Sequence, residues 1–273
     1  MSGSDPSNAH PAVVVERHGA VACVTLSRPE KANAMDAEIT DALLGTVLGL
    51  RDDADMRAMV ITGQGSAFSA GGDFETIRAM RENRQMRDAV LEVHQELFWV
   101  MRRLPFPTVA AVNGPAVGAG VTVALLCDLV VVAEDTFLSD PRVSLGLLDG
   151  AGGFVLWPLL TSLSAAKEHL LLGDRVSGNE AHRLGLANRA VPASDVLAEA
   201  LQLAKRLGEL PAHAVRQARQ LLNSHIDRAA AILPDCARAE SECFDTEEHR
   251  VLLERLSARV AAKTESAKTK RTS

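Results

Sequence analysis

Apolar residues follow two different periods along this chain, and the change between them divides it into two parts. Between residues 12 and 198, short apolar runs typical of strands, such as 58–62 and 108–112, alternate with helical patterns. From residue 199 to residue 262 the spacing predicts only helices. Residues 1–11 and the basic stretch 263–273 show no apolar period, so we expect both to be flexible. The pattern therefore predicts an α/β core followed by a C-terminal helical region.

Individual elements follow from the same pattern. The runs 12–17 and 20–27 flank His18-Gly19, which is typical of a hairpin. Asp36 is placed to cap a helix that extends to about residue 50. The polar stretch 74–103 and the stretch 227–243 each predict one helix.

Two glycine-rich turns are the most informative local features. The first, residues 68–74, follows the apolar run 58–62, and the second, residues 113–120, follows the run 108–112. A strand that ends in a small-residue turn and begins a helix directs unpaired backbone N–H groups at one spot. Two such turns facing each other can hold one oxygen between two donors, which is the geometry of an oxyanion hole.

Composition and charge narrow the class of protein. The 273 residues are 47% hydrophobic and 23% charged, which is enough to bury one sizeable core. A net charge of −6 gives no electrostatic reason to expect nucleic acid. The apolar runs are too short to span a bilayer, and the first ten residues lack a secretory signal. The four cysteines lack metal-ligand spacing, so we expect reduced thiols, no metal and a cytoplasmic protein.

Six motifs, in this order along the chain, resemble the crotonase (enoyl-CoA hydratase/isomerase) superfamily. They are Arg28-Pro29 with Asn33-Ala34, residues 68–73, residues 110–114, Cys127-Asp128, residues 150–153 and Gly185-Leu186-Ala187. The resemblance implies an α/β fold whose core is a ββα spiral of two near-perpendicular sheets. It also implies C-terminal helices that build a homotrimer or a dimer of trimers. The ligand it implies is an acyl-CoA thioester, with coenzyme A as part of the substrate and no other cofactor.

The resemblance also implies a set of site residues. The backbone N–H groups of Gly72 and Ala119 match the family's two donors to the thioester oxygen. The positions expected to contact the ligand are Lys31, Ala32, Ala34, Ala70, Asp73, Phe74 and Arg259. Asp73 is also placed to order its own loop or to cap the next helix, and Arg259 stands near a position that meets the CoA phosphate across a subunit boundary in relatives.

Both carboxylates that flank the substrate in hydrating members of the superfamily are missing. Their positions carry Thr122 and Arg142 in this sequence. A positioned general acid or base contributes about 10²–10⁴-fold to a rate. The sequence therefore predicts weak hydratase activity unless other groups replace the two glutamates.

Several nearby residues are candidates for that replacement. Asp149 matches the working aspartate of some relatives, or it caps the helix that follows it. Arg142 either binds an anionic acyl group or pairs with Asp140 or Asp149. Thr122 holds a water molecule or packs in its helix, and His94 either transfers protons or fills space.

Three functions are consistent with these residues. The first is an enzyme of the enoyl-CoA hydratase/isomerase type, a lyase or isomerase of fatty-acid metabolism with altered catalytic groups. The second is an acyl-CoA hydrolase, decarboxylase or dehalogenase that uses Asp149. The third is a catalytically weak acyl-CoA-binding or scaffold protein.

Overall fold

Two β-sheets organise the protein, which is described here by a computed structural model covering residues 10–258. The strands are β1 (Val13–His18), β2 (Val21–Leu26), β3 (Ala58–Gly63), β4 (Thr108–Val112), β5 (Ala116–Val117), β6 (Leu129–Ala133), β7 (Phe137–Ser139), β8 (Val176–Ser177) and β9 (Arg189–Val191). The helices are α1 (Ala37–Arg51), α2 (Phe74–Glu82), α3 (Arg84–Arg102), α4 (Ala119–Leu126), α5 (Gly153–Leu160), α6 (Leu163–Leu172), α7 (Gly178–Leu184), α8 (Val196–Gly208), α9 (Ala212–Ala229), α10 (Leu233–Phe244) and α11 (residues 247–258).

The larger sheet has the strand order β1-β2-β3-β4-β6-β9. Strands β1 and β2 form the predicted antiparallel hairpin, and every later pairing in this sheet is parallel. Every residue of β3 and β4 is buried, as the continuous apolar runs of these strands require when both faces of a sheet are covered. The smaller sheet has the order β5-β7-β8, and its strand β5 lies within the second glycine-rich turn. The predicted α/β class is confirmed.

Helix α8 covers one face of the larger sheet. Its residues Val196, Ala200 and Leu203 share a buried apolar cluster with Val60 and Ala111 of the central strands. The boundary expected between residues 198 and 199 therefore falls inside a helix that packs on the core. The sequence pattern could not show whether this helix belongs to the core or to the C-terminal region, because an amphipathic pattern is the same whether the helix covers a sheet or another helix.

Two predicted helices are each divided in the structure. The stretch 74–103 breaks at Asn83, whose side chain accepts a hydrogen bond from the backbone N–H of Met86 at 3.1 Å and begins α3. In the stretch 227–243, helix α9 continues to Ala229, and α10 begins at Leu233 with Pro234 in its first turn. A proline inside a helix would clash with the carbonyl four residues earlier, so the break falls before it.

One predicted helix start is confirmed at its cap. The Asp36 carboxylate accepts a hydrogen bond from the backbone N–H of Ile39 at 3.0 Å, at the start of α1. This bond satisfies one of the unpaired donors of the first turn. Within residues 10–258 no helix is long and apolar enough to cross a bilayer.

Candidate active site

The two glycine-rich turns are in direct contact. The backbone N–H of Ser69 donates to the carbonyl of Pro115 at 3.1 Å, and the N–H of Val117 donates to the carbonyl of Ser69 at 2.9 Å. A Cβ on Gly71, which has a φ of +85°, would lie 2.6 Å from the Val117 carbonyl oxygen. Only glycine allows the two backbones to approach this closely. The turns predicted to face each other do so.

Each turn presents one backbone N–H that donates to no other residue in the part of the chain that the structure describes. Ala119 is the first residue of α4, and its N–H has no partner inside the helix. The N–H of Gly72 also donates to no acceptor within the described part of the chain, although its neighbours Gly71 and Asp73 bond to Met35. Both Gly72 and Ala119 line one cavity of about 240 Å³. The structure therefore brings the two expected donors to a common site.

The cavity walls are mostly apolar. The apolar side chains that line it include Met35, Phe74, Ile77, Met80, Val90, Val117, Leu145, Leu147, Phe244 and Leu256. Of the cavity-lining residues in 10–258, only His94, Arg142 and Glu240 carry titratable side chains. An apolar wall with a few convergent polar groups suits a ligand with an uncharged acyl part.

Arg142 pairs with two buried aspartates. Its Nε and Nη2 donate to Asp140 at 2.8 and 2.7 Å, and its Nη1 and Nη2 lie 2.9 and 2.8 Å from Asp149. Burial alone would lower the pKa of Arg142, but Asp140 and Asp149 outweigh it and hold the pKa above its ordinary value. The guanidinium is therefore a permanent cation already neutralised by protein carboxylates. Of the two roles predicted for Arg142, this geometry fits pairing with Asp140 and Asp149. The positive charge of Arg142 is then largely compensated and is not available to bind an anionic acyl group.

Asp149 is engaged from several directions and does not line the cavity. Besides Arg142, its oxygens accept hydrogen bonds from the Thr122 hydroxyl at 3.0 Å and from the backbone N–H groups of Ala151 at 2.6 Å and Gly153 at 2.5 Å. Gly153 is the first residue of α5, so the carboxylate stabilises the start of that helix. Asp149 is 2% exposed and Thr122 is 3% exposed, and Arg142, which contacts both, lines the cavity whereas they do not.

His94 lies on α3 and faces the cavity. It forms no hydrogen bond to another described residue, and it is half-buried. Burial, and secondarily the charge of Arg142, lower the pKa of His94 to about 4. The imidazole is therefore neutral at physiological pH.

Glu240, on α10, is the one acidic side chain among the described residues that line the cavity. Its Oε2 accepts the backbone N–H of Gly150 at 2.7 Å. Burial raises the pKa of Glu240 to about 8; Arg142 opposes this shift, while Asp149 and Asp140 add to it. The carboxyl group can therefore gain or lose a proton near neutral pH.

Sequence reasoning missed Glu240, although a signal was present. Leu233, Ala237, Glu240 and Phe244 are spaced four, three and four residues apart, which places all four on one face of a helix. Leu233 and Phe244 are each 1% exposed, and Glu240 is 7% exposed. A glutamate inside an otherwise apolar stripe is an unusual position that requires a partner or a role.

Two of the seven residues expected to contact the ligand line this cavity. Ala32 adopts a φ of +50°, and its carbonyl accepts a hydrogen bond from the backbone N–H of Ala70 at 2.9 Å. This bond joins the segment 31–34, which holds three of the expected ligand contacts, to the first turn. Lys31 beside it is exposed and Ala34 is buried. Ala70 and Phe74 line the cavity. Asp73 stands at the start of α2 without a capping bond from its side chain, and Arg259 lies outside the described residues.

The α/β fold, the two facing turns and the apolar cavity beside them are the features expected of an acyl-CoA-binding enzyme fold. The comparison of sequences assigns the chain to a family of that kind. Residues 16–251 match the family profile described as Enoyl-CoA hydratase/isomerase, and the chain belongs to this family. The expected superfamily and the fold that it implies are confirmed.

Known proteins of this family resemble the chain over most of its length. The crystal structure of an enoyl-CoA hydratase/isomerase from Mycobacterium paratuberculosis has a TM-score of 0.87 and 40% identity, and the match covers 90% of this chain and 98% of that one. A monofunctional enoyl CoA isomerase from M. smegmatis has a TM-score of 0.69 and 31% identity, with 80% and 95% covered. The short-chain-enoyl-CoA hydratase of Clostridium acetobutylicum is 29% identical over 87% of this chain and 91% of that protein.

Proposed function

We propose that the protein binds an acyl-CoA thioester and stabilises the enolate of its acyl group with the backbone N–H groups of Gly72 and Ala119. The observation that carries this proposal is that neither N–H group donates to a described residue and that Gly72 and Ala119 line the same apolar cavity. Coenzyme A enters as part of the substrate, and no other cofactor is needed for this chemistry.

The physical basis is the acidity of the carbon next to a thioester carbonyl. Removing a proton from this carbon puts negative charge on the carbonyl oxygen, where two fixed donors stabilise it. Each such donor is worth about 2.7–4 kcal/mol of barrier. Ala119 begins α4, so the positive end of that helix adds to the stabilisation.

The arrangement favours a double-bond shift over water addition. Thr122 and Arg142, at the two positions that hold glutamates in hydrating relatives, belong here to an ion cluster with Asp140 and Asp149. A shift moves one proton between two carbons of the same substrate, so a single acid–base group suffices. The similarity to the monofunctional isomerase of M. smegmatis supports this choice.

The alternative reactions through Asp149 receive less support. Hydrolysis, decarboxylation or dehalogenation would need its carboxylate at the substrate, whereas Thr122, Arg142, Ala151 and Gly153 already donate to it. Asp149 is also not among the described residues that line the cavity.

We also propose that the protein acts in the cytoplasm as a homotrimer or a dimer of trimers, without nucleic-acid or membrane partners. Leucines of α6 and α9 support an assembly, since Leu163, Leu171, Leu172, Leu221 and Leu222 are 59–70% exposed. Clustered exposed apolar side chains are typical of surfaces that another subunit covers.

The test is to delete one donor without disturbing the helix. Proline is tolerated at the first position of a helix, where its missing N–H had no partner. Ala119→Pro therefore removes the donor, while Ala119→Gly keeps the N–H and serves as the matched control. Turnover of 3-hexenoyl-CoA to 2-hexenoyl-CoA is followed by absorbance, and acyl-CoA binding by calorimetry.

We expect Ala119→Pro to lower kcat by about 10²–10³-fold and Ala119→Gly to stay near wild type. Equal kcat values for the two variants, both folded, would show that this N–H does not stabilise the transition state. Acyl-CoA binding without turnover by the wild type would instead favour the binding or scaffold function.

A further inference from the structure

We propose that Glu240 of α10 is the group that carries the proton in this reaction. The inference rests on the proposed function, because it assumes an acyl-CoA whose oxygen is held by Gly72 and Ala119. It assigns the acid–base role to a helix in the C-terminal region rather than to the turns where hydrating relatives place their glutamates.

The geometry leaves few other candidates. Of the three titratable side chains on the described cavity wall, Arg142 has its guanidinium donors turned to Asp140 and Asp149 and cannot act as a base. His94 is a neutral imidazole whose low pKa, about 4, makes it a weak base. Glu240 is therefore the strongest base that the described residues bring to this cavity.

Glu240 is also held in a fixed position. Its Oε2 accepts the N–H of Gly150 at 2.7 Å, and among the described residues its Oε1 accepts no hydrogen bond. Helix α10 packs against α3, which carries His94 on the same cavity. One oxygen is thus anchored to the backbone, and the other is available to a substrate.

The groups around Glu240 affect the pKa of its carboxyl group. Arg142 is matched against both Asp140 and Asp149, so the ion cluster carries one net negative charge towards Glu240. His94 on α3 is uncharged, and Cys236 and Cys243 on α10 itself have raised pKa values, chiefly through burial. Burial raises the pKa of Glu240 to about 8, with Asp149 and Asp140 adding to this shift and Arg142 opposing it. This value is close to the pH at which the protein would work.

The proposed step is balanced without water or an external reagent. The Glu240 carboxylate takes a proton from C2 of a 3-enoyl-CoA, so the C2–H bond breaks and an O–H bond forms. The electron pair moves onto the thioester oxygen, between the N–H groups of Gly72 and Ala119. Glu240 then returns the proton to C4, the double bond comes to lie between C2 and C3, and the carboxylate is restored.

The experiment compares Glu240→Gln with Glu242→Gln. Glu242 lies on the same helix but is exposed and pairs with Arg238, so it controls for charge and helix effects. Gln at 240 has the same shape and keeps an oxygen for the Gly150 N–H. Two readouts are taken: the shift of 3-hexenoyl-CoA to 2-hexenoyl-CoA, and the exchange of the α-protons of butyryl-CoA with D₂O by NMR.

We expect Glu240→Gln to lose about 10²–10⁴-fold in both rates while its affinity for butyryl-CoA stays near wild type. Wild-type kcat/KM should rise about tenfold per pH unit up to a pKa near 8 and then level off, since the free enzyme acts through the carboxylate. The residual activity of Glu240→Gln should be independent of pH in this range. Glu242→Gln should behave as wild type in every assay.

The outcomes separate this inference from the proposed function. If Ala119→Pro abolishes exchange but Glu240→Gln stays within about threefold of wild type, the oxyanion hole stands and the role of Glu240 is overturned. If the wild type turns over no acyl-CoA, the proposed function itself fails. If Glu240→Gln does not fold, the wild-type pH profile decides, because a flat profile between about pH 6 and 9 overturns the inference.

Discussion

Removing Arg142 tests how the ion cluster beneath the cavity is balanced. Arg142→Met keeps an unbranched side chain without its charged end and deletes four contacts to two carboxylates that are 4% and 2% exposed. Breaking a buried pair by removing one partner costs about 3–5 kcal/mol, since a buried charge is left uncompensated. That is a large share of the about 5–15 kcal/mol by which proteins are stable.

The structure predicts which aspartate accounts for most of this loss. Without the guanidinium, Asp149 still accepts from the Thr122 hydroxyl and from two backbone N–H groups. Among residues 10–258, Asp140 keeps only the backbone N–H of residue 142, at 3.4 Å. Most of the penalty should therefore fall on Asp140, and Asp140→Asn should relieve it when introduced together with Arg142→Met.

The assay is a double-mutant cycle from urea unfolding at pH 7 and constant protein concentration. We expect a coupling of about 1–3 kcal/mol between Arg142→Met and Asp140→Asn. Arg238→Met is the control, because this exposed arginine also pairs with two carboxylates but should cost only about 0–1 kcal/mol. Effects at 142 and 140 that add within about 0.5 kcal/mol would refute the account of a mutually dependent cluster.

Two further predictions concern the meeting of the turns and the buried histidine. Gly71→Ala should destabilise the protein by about 1–2 kcal/mol through its φ of +85° alone, and by more through the clash with the Val117 carbonyl. The control is Gly45→Ala, in open space within α1, which should be neutral or stabilising in the same unfolding assay. Equal effects at the two positions would contradict the prediction. His94→Gln should change how stability depends on pH. Because the pKa of His94 is about 4 when folded and about 6.5 when unfolded, the unfolded chain binds more protons between these values, so stability falls as the pH decreases through that window. Wild type should therefore lose up to about 3 kcal/mol more than His94→Gln between pH 7 and 4, and parallel curves for the two proteins would contradict the shift.

Much of the fold could be predicted from the sequence because its signals are local. The hairpin, the helix capped by Asp36 and the strands before the two glycine-rich turns each depend on spacing within a few residues. The breaks at Asn83 and before Pro234 were missed, since a continuous polar-apolar pattern outweighed single residues that compete with the helix. The packing of α8 on the sheet was also missed, because an amphipathic pattern does not say which surface it covers.

The sequence alone predicted that two small-residue turns, after two buried strands, would face each other and present backbone donors. Through its resemblance to the family, it also predicted that Thr122 and Arg142 stand where hydrating members carry carboxylates. Only the tertiary structure decided what surrounds those donors: Arg142 is bound to two aspartates, and Glu240 comes from 90 residues beyond its partner Gly150. The reason is physical, since donors in a turn follow from local backbone geometry. Pairing and proton affinity depend instead on burial and on charges brought close in space, which no local pattern records.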